Sequence, residues 1–319
     1  MTLAPDVGLG AGRPAAWVLS ADELRALSRP SAWRTWRHVA DTWGLIVAAV
    51  TVSVWASHPA AYLAAVVVVG TRQHSLGVHA HDAAHGLLFR SRPLNDLVGE
   101  LLLAWPIFTS LAGYRLLHLP HHRYLNTDRD PDWYRNGPER LHEPGSWTST
   151  VALLLGVRLR TADLGVQFGM RGSDGITGWR RRARPWVYAA AAAAVTAAGA
   201  WAFVVAYWVV PFVTCFLPAM RIRGISDHWA VASDHPLRCM RTVRANRLER
   251  FLLFPKGVNF HIEHHLYPTV PFYRLAALHR RLMQSESYAR EAHVTHGVIG
   301  LALDVWRARQ KAQPVRPVA

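Results

Sequence analysis

Three short stretches set histidines at the spacing of one helix face: HDAAH at 81–85, HLPHH at 118–122 and HIEHH at 261–265. Residues three and four apart on a helix are neighbours, so the imidazoles within each stretch can reach a common centre. Histidine is the commonest metal ligand, and its unperturbed pKa lies closest to neutrality, so such clusters serve either a metal or a proton switch. The three stretches hold eight imidazoles: His81, His85, His118, His121, His122, His261, His264 and His265. That is too many for one tetrahedral zinc, which takes four ligands. Two first-row metals of higher coordination number would use them all, and imidazole supports iron, zinc, copper and nickel alike.

The elements that must position these residues are written in apolar runs. The chain of 319 residues is 51% apolar and 18% charged, a balance that leans towards a membrane protein. From Trp43 to about His79 it is apolar except for SHPA at 57–60 and TRQH at 71–74, long enough for two crossings joined by a tight turn at 57–60. A second run, Trp186 to Met220, carries no charge and is too long for one crossing, with AAGA at 197–200 as its turn. Eleven arginines lie between Arg123 and Arg184 and more follow Met220, whereas neither turn holds Lys or Arg. By the positive-inside rule both turns face out and all three histidine stretches meet on the cytoplasmic side. The formal charge of +15 is then mostly topological, with anionic headgroups as a second attraction, and no nucleic-acid partner is expected. The apolar segment Leu94–Leu117, broken by Glu100 and Pro106, would reverse the following loop if it crossed, so it is expected to be re-entrant or interfacial.

Ser20 and Glu23 stand at capping-box spacing ahead of a short helix that Pro30 stops. No secretory signal pattern precedes it, so the N-terminal segment is expected to stay in the cytosol. Residues 274–292 read as one helix, and the last dozen residues as a disordered tail. The expected division is a cytosolic segment 1–41, a membrane domain 42–282 and a cytosolic helix and tail 283–319. Cys215 and Cys239 provide neither a disulfide framework nor a thiolate metal site.

The longer phrases HDAAHGLLFRSRPLND, HLPHHRYLNTDRDPDW and NFHIEHHLYPTVPFYRL are similar to those of the membrane fatty acid desaturase superfamily, over about Trp43 to Leu282. The resemblance implies an all-α integral membrane protein with about four transmembrane helices in two hairpins and a cytosolic helical cap holding a di-iron site. It implies the eight boxed histidines as iron ligands, and His228, in RIRGISDHW, matches a further ligand that the family supplies after its last membrane helix. It also implies an O2-dependent oxidoreductase of the bacterial inner membrane, with an apolar channel for a fatty acyl or lipid chain. No HPGG haem segment or cysteine cluster is present, so electrons are expected from a separate ferredoxin or cytochrome with its reductase. Desaturation is the first reading; hydroxylation or ketolation of a lipid, carotenoid or specialised metabolite at the same site is the alternative. A zinc protease built on HDAAH leaves six boxed histidines unused, and a metal transporter would want polar groups inside the bilayer.

Asp82, Asp128, Asp130, Asp227 and Glu263 are candidates to hydrogen-bond imidazole N–H groups and so orient the ligands. His74 shares a helix face with the first box, and His79 also precedes it. His142, His235, His279, His293 and His296 sit in arginine-rich or polar surroundings, where a surface or interfacial role is expected.

Overall fold

The computed structural model describes residues 19–125, 127, 129–131, 146–154, 179–229, 231, 235 and 237–311. Asp128 and His142, most of the arginine-rich loop and residues 312–319 of the expected tail lie outside the described residues. The described chain is mostly helical, and it divides into two units, with two of the boundaries, 116/117 and 219/220, falling inside helices.

One unit takes residues 31–116 and 160–219. It opens with the hairpin α2 (Ala32–Ala56) and α3 (Pro59–His85). Ser31 caps the N-terminus of α2 by accepting from the Arg34 amide, and the chain turns at Ser57, whose φ is +47°. Pro59 then occupies the first turn of α3, where its missing N–H costs nothing. The turn therefore falls where SHPA places it, but α2 begins eleven residues before Trp43, because helix continues through the polar WRTWRHVADT. α3 is central: from Val69 to Ala84 nearly every residue is buried. Gly70 lets another helix approach closely, since a Cβ there would lie 2.3 Å from the Cys215 Cβ and 2.8 Å from the Pro211 carbonyl oxygen.

α4 (Arg92–Val98) runs on through a π turn at Gly99–Ala104 and a 3-10 turn at Trp105–Ile107 before α5 (Leu111–Tyr124) leaves at 95°. Glu100, fully buried, makes that bend possible: its carboxylate accepts from the Leu111 and Ala112 amides, capping α5. The carbonyls freed at the break find donors in Tyr188 (2.9 Å to Trp105 O), Trp208 (2.9 Å to Pro106 O) and Arg184 (3.0 Å to Phe108 O). Irregular backbone needs such partners wherever water is absent.

The second hairpin is α7 (Trp179–Ala197) and α8 (Trp201–His228), turning at Gly199 with φ +61°. α8 contains two π segments, Val205–Val209 and Phe212–Phe216, and Gln73 donates to the Trp208 carbonyl in the first. It continues past Met220 to His228, because Arg221 and Arg223 sustain a helix as well as apolar residues do. α2 and α8 are each long and apolar enough to cross a membrane, and the bent pair formed by α4 and α5 meets the same measure taken together. α3 is diluted by TRQH and α7 by its arginines.

The other unit takes residues 1–30, 117–159 and 220–319. After α6 (Trp147–Leu154) and the end of α8 come β1 (Thr242–Arg244), α9 (Arg247–Leu252), α10 (His261–Leu266), α11 (Phe272–Leu282), α12 (Glu286–Glu291), β2 (Val294–His296) and α13 (Gly297–Lys311). β1 and β2 pair in parallel, Thr242 opposite Val294 and Arg244 opposite His296, a small ladder in an otherwise helical protein. The helix expected over 274–292 is two: Ser285 accepts from the Tyr288 amide and starts a new helix. The core joins Ile262, Leu266, Val270, Leu275, Leu278, Leu282 and Tyr288, each such buried aliphatic side chain contributing about 1.5–3 kcal/mol. α1 (Ala21–Ser28), with its Ser20–Glu23 capping box in place, docks here through Glu23–Arg281 at 2.6 Å and Ser28–Thr269 at 2.9 Å.

Candidate metal centre

Each histidine stretch lies on helix. HLPHH ends α5, HIEHH is α10, and HDAAH closes α3. Within the unit that holds α10, seven imidazoles converge in two groups. In the first, the His122 Nε2 lies 3.0 Å from the His118 Nε2 and 2.9 Å from the His264 Nε2. In the second, the His228 Nε2 lies 3.2 Å from the His121 Nε2 and 2.8 Å from the His261 Nε2, and ligand atoms of His121, His228, His261 and His265 all fall within 4.8 Å of one another. The rings of His122 and His265 stack at 4.1 Å, so the groups share a wall.

Hydrogen bonding alone does not account for this packing. A neutral imidazole nitrogen either donates once or accepts once, yet the Nε2 atoms of His122 and His228 each face two others. His265 is fully buried, and neither of its ring nitrogens has a hydrogen-bond partner among the described residues. Buried polar atoms left in that state are costly unless something else binds them. Nitrogens about 2.1 Å from a shared ion sit about 3.0 Å apart at right angles and about 3.4 Å apart in a tetrahedron. The observed 2.8–3.2 Å matches the right-angled case. The donor set therefore fits metals of higher coordination number.

Electrostatics keeps the lone pairs available. Burial pushes His261 well below the ordinary imidazole range, helped by its neighbours His228 and Arg223. His265 is pushed down by burial and then by His122 and His261. Neutral imidazole is the form that binds metal.

The acidic candidates divide. Asp130 meets the His121 Nδ1 at 2.8 Å, both side chains being almost wholly buried. Asp227 lies 3.6 Å from the His261 Nδ1 and 3.3 Å from the Arg223 Nε, and Asp82 lies 3.5 Å from the His81 Nδ1. Glu263 faces away from the two histidine groups and bonds His279, Tyr288 and Thr242 instead. His279, expected at the surface, is therefore a partner of a buried carboxylate. The signal was present: it follows Leu275 by one turn and Leu278 directly on the buried stripe of α11.

In the other unit, His81 and His85 lie one turn apart with ring centroids 5.0 Å from each other, and Gly86, at φ +77°, ends the helix just beyond them. That end is braced by residues not singled out in the sequence. Arg115 donates to the Ala83 and Ala84 carbonyls and pairs with Asp96, and Asn95 also donates to Ala83. His79 takes a local role, 3.3 Å from the Thr42 hydroxyl, and His74 lies against Phe216.

The fatty acid desaturase family model matches residues 57–297. The chain is 28% identical over 251 residues to dihydrorhizobitoxine desaturase of Bradyrhizobium elkanii, covering 72% of this chain and 70% of that protein. It is 31% identical over 232 residues to a beta-carotene ketolase of a Paracoccus species, covering 69% and 80%. To sn-1 oleoyl-lipid 12-desaturase of a Synechocystis species it is 24% identical over 245 residues, covering 68% and 66%.

Proposed function

Because the chain belongs to the fatty acid desaturase family and is an oxidoreductase, we propose that it uses O2 to convert a CH2–CH2 pair of a fatty acyl or lipid chain into a C=C bond. Two irons supply the chemistry when bound: O2 accepts two electrons from the C–H bonds and two from an external donor, and leaves as two waters. The observation that carries this reading is the convergence of imidazole Nε2 atoms on two points. His118, His122 and His264 hold one iron, and the family's pattern of histidine boxes adds His81 and His85 to the ligand set. His121, His228, His261 and His265 hold the other.

The chain's own residues prepare this centre. Asp130 accepts from the His121 Nδ1–H and so turns the Nε2 lone pair inward. Asp227 favours the same tautomer of His261. Burial of the imidazoles would keep bulk water away from the metals they hold. The electrons come from a separate ferredoxin or cytochrome with its reductase. The two hairpins α2–α3 and α7–α8 make four crossings of a bacterial inner membrane, with their arginine-free turns outside and the histidines at the cytoplasmic side.

The match to a ketolase supports a second reading, in which an oxygen atom is transferred to the substrate instead. After the first hydrogen is removed, small differences in substrate position separate the two outcomes. Lipid and metabolite profiling of cells expressing the wild type against His264→Ala decides. A product lighter by two hydrogens supports the desaturase; one heavier by an oxygen (an alcohol), or by an oxygen less two hydrogens (a ketone), supports the alternative; identical profiles refute both.

A further inference from the structure

α10 carries three of the clustered imidazoles on only six residues, and an isolated helix of that length does not hold its shape in water. Its N-cap, Phe260, offers no side-chain hydrogen bond. Something else must fix its rotation. At 3.6 residues per turn, Glu263 projects about 150° away from the mean direction of His261, His264 and His265. It is fully buried, and three other elements reach its carboxylate. The Thr242 hydroxyl of β1 donates to one oxygen at 2.6 Å. The Tyr288 hydroxyl of α12 donates to the other at 2.8 Å, and that oxygen also meets the His279 Nδ1 of α11. Thr242 in turn accepts from the Ile262 amide at 3.3 Å, tying the first turn of the helix to the same point.

We propose that Glu263 is a positioning residue for the metal centre: a buried anchor on the back of α10, held by Thr242, Tyr288 and His279, that sets the rotation of the helix and so the aim of its three histidines. The inference rests on the metal reading above. A carboxylate suits the position because both of its oxygens accept there. Glutamine is neutral and has one acceptor oxygen, so in Glu263→Gln either Thr242 or the Tyr288–His279 pair faces an NH2 group, a hydroxyl there must turn from donor to acceptor, and the charge-assisted bonds are lost.

The test uses the full chain, purified in lipid nanodiscs and loaded with ferrous iron. Iron release to a chelator, the spectrum of the ferrous nitrosyl complex and the melting temperature are measured together. Glu263→Gln is expected to release iron about tenfold faster, the lower end of the effect of residues that orient metal ligands, and to change the nitrosyl spectrum. Leu301→Ala, a buried position on α13, provides a variant of lowered melting temperature that keeps the wild-type release rate and spectrum. If Glu263→Gln only melts earlier and matches Leu301→Ala in release and spectrum, the positioning role is refuted. If Glu263→Gln does not fold, Tyr288→Phe removes one of the hydrogen bonds, and about threefold faster release is expected; release at the wild-type rate overturns the proposal. A wild type that takes up no iron overturns the metal reading and this inference with it.

Discussion

Gly70 and Gly77 are two glycines of one helix, two turns apart, for which the structure sets opposite outcomes. A Cβ at Gly70 would stand 2.3 Å from the Cys215 Cβ and 2.8 Å from the Pro211 carbonyl oxygen, both part of or next to helix backbone. Carbon atoms rest at about 3.5–4.0 Å, so the overlap is more than about 1 Å and no side-chain rotation relieves it. α3 and α8 must part, and overpacking of this kind costs about 1–3 kcal/mol. At Gly77 the nearest atoms to a built Cβ are the Ile107 Cδ1 at 3.6 Å and the Phe216 Cε2 at 3.9 Å, ordinary contact. Alanine is favoured over glycine within a helix by about 0.5–1 kcal/mol. Gly77→Ala is therefore expected to be neutral or stabilising and Gly70→Ala destabilising, by midpoints of unfolding in a denaturing-detergent titration of the purified protein. Gly70→Ala also displaces α3, so iron bound through His81 and His85 should fall with it. Equal midpoints for the two variants, or a more stable Gly70→Ala, would refute the packing argument.

Other positions make separate demands. Asp130→Asn keeps the size of the side chain but exchanges the anionic acceptor facing His121, and should lower iron affinity about 10–100-fold, read by competition with a chelator; unchanged affinity would remove Asp130 from the site. His228→Ala takes away the nitrogen that both His121 and His261 face, so the second group should lose its iron while the first keeps its own, giving about one iron per chain by elemental analysis. Glu23 is held down to about 2 from the ordinary 4.5, first by its hydrogen bond to Arg281 and then by those of Ser20. Its folded pKa being lower, its contribution to docking α1 is complete above about 4.5 and fades as pH falls towards 2. Protection of the α1 amides from hydrogen exchange, relative to the unfolded chain, should therefore fall across that window in the wild type and not in Glu23→Gln. Leu278→Ala, in the fully buried core beneath α10, should cost about 2–5 kcal/mol, seen as an earlier melt.

Much of this arrangement is legible in the sequence because it is local. The turns at Ser57 and Gly199 show as small or polar residues inside apolar runs, and the capping box at Ser20 and Glu23 shows as spacing. That HLPHH and HIEHH can meet is expected from the placement of the arginines around the apolar runs, which puts both stretches on one side. Less local features do not read out. The ladder of Thr242–Arg244 with Val294–His296 is too short to carry an alternating pattern. The break at Ser285 was marked by a serine that caps the following turn, a signal weaker than the apolar continuity on either side. Glu100 looked like an interruption of an apolar segment, whereas it caps the helix after the bend. Glu263 pointed to an imidazole, as its neighbours do, but to that of His279 behind the helix and not to a ligand. In each case the missing information was the direction of a side chain towards an element distant in sequence.

Whether these histidines hold two irons is decided by elemental analysis of the purified wild type beside His264→Ala. About two irons per wild-type chain are expected, fewer in the variant, with an unchanged helical content by circular dichroism. One tightly held zinc per chain with no iron, or a His264→Ala variant with the full complement of iron, would contradict the two-iron reading.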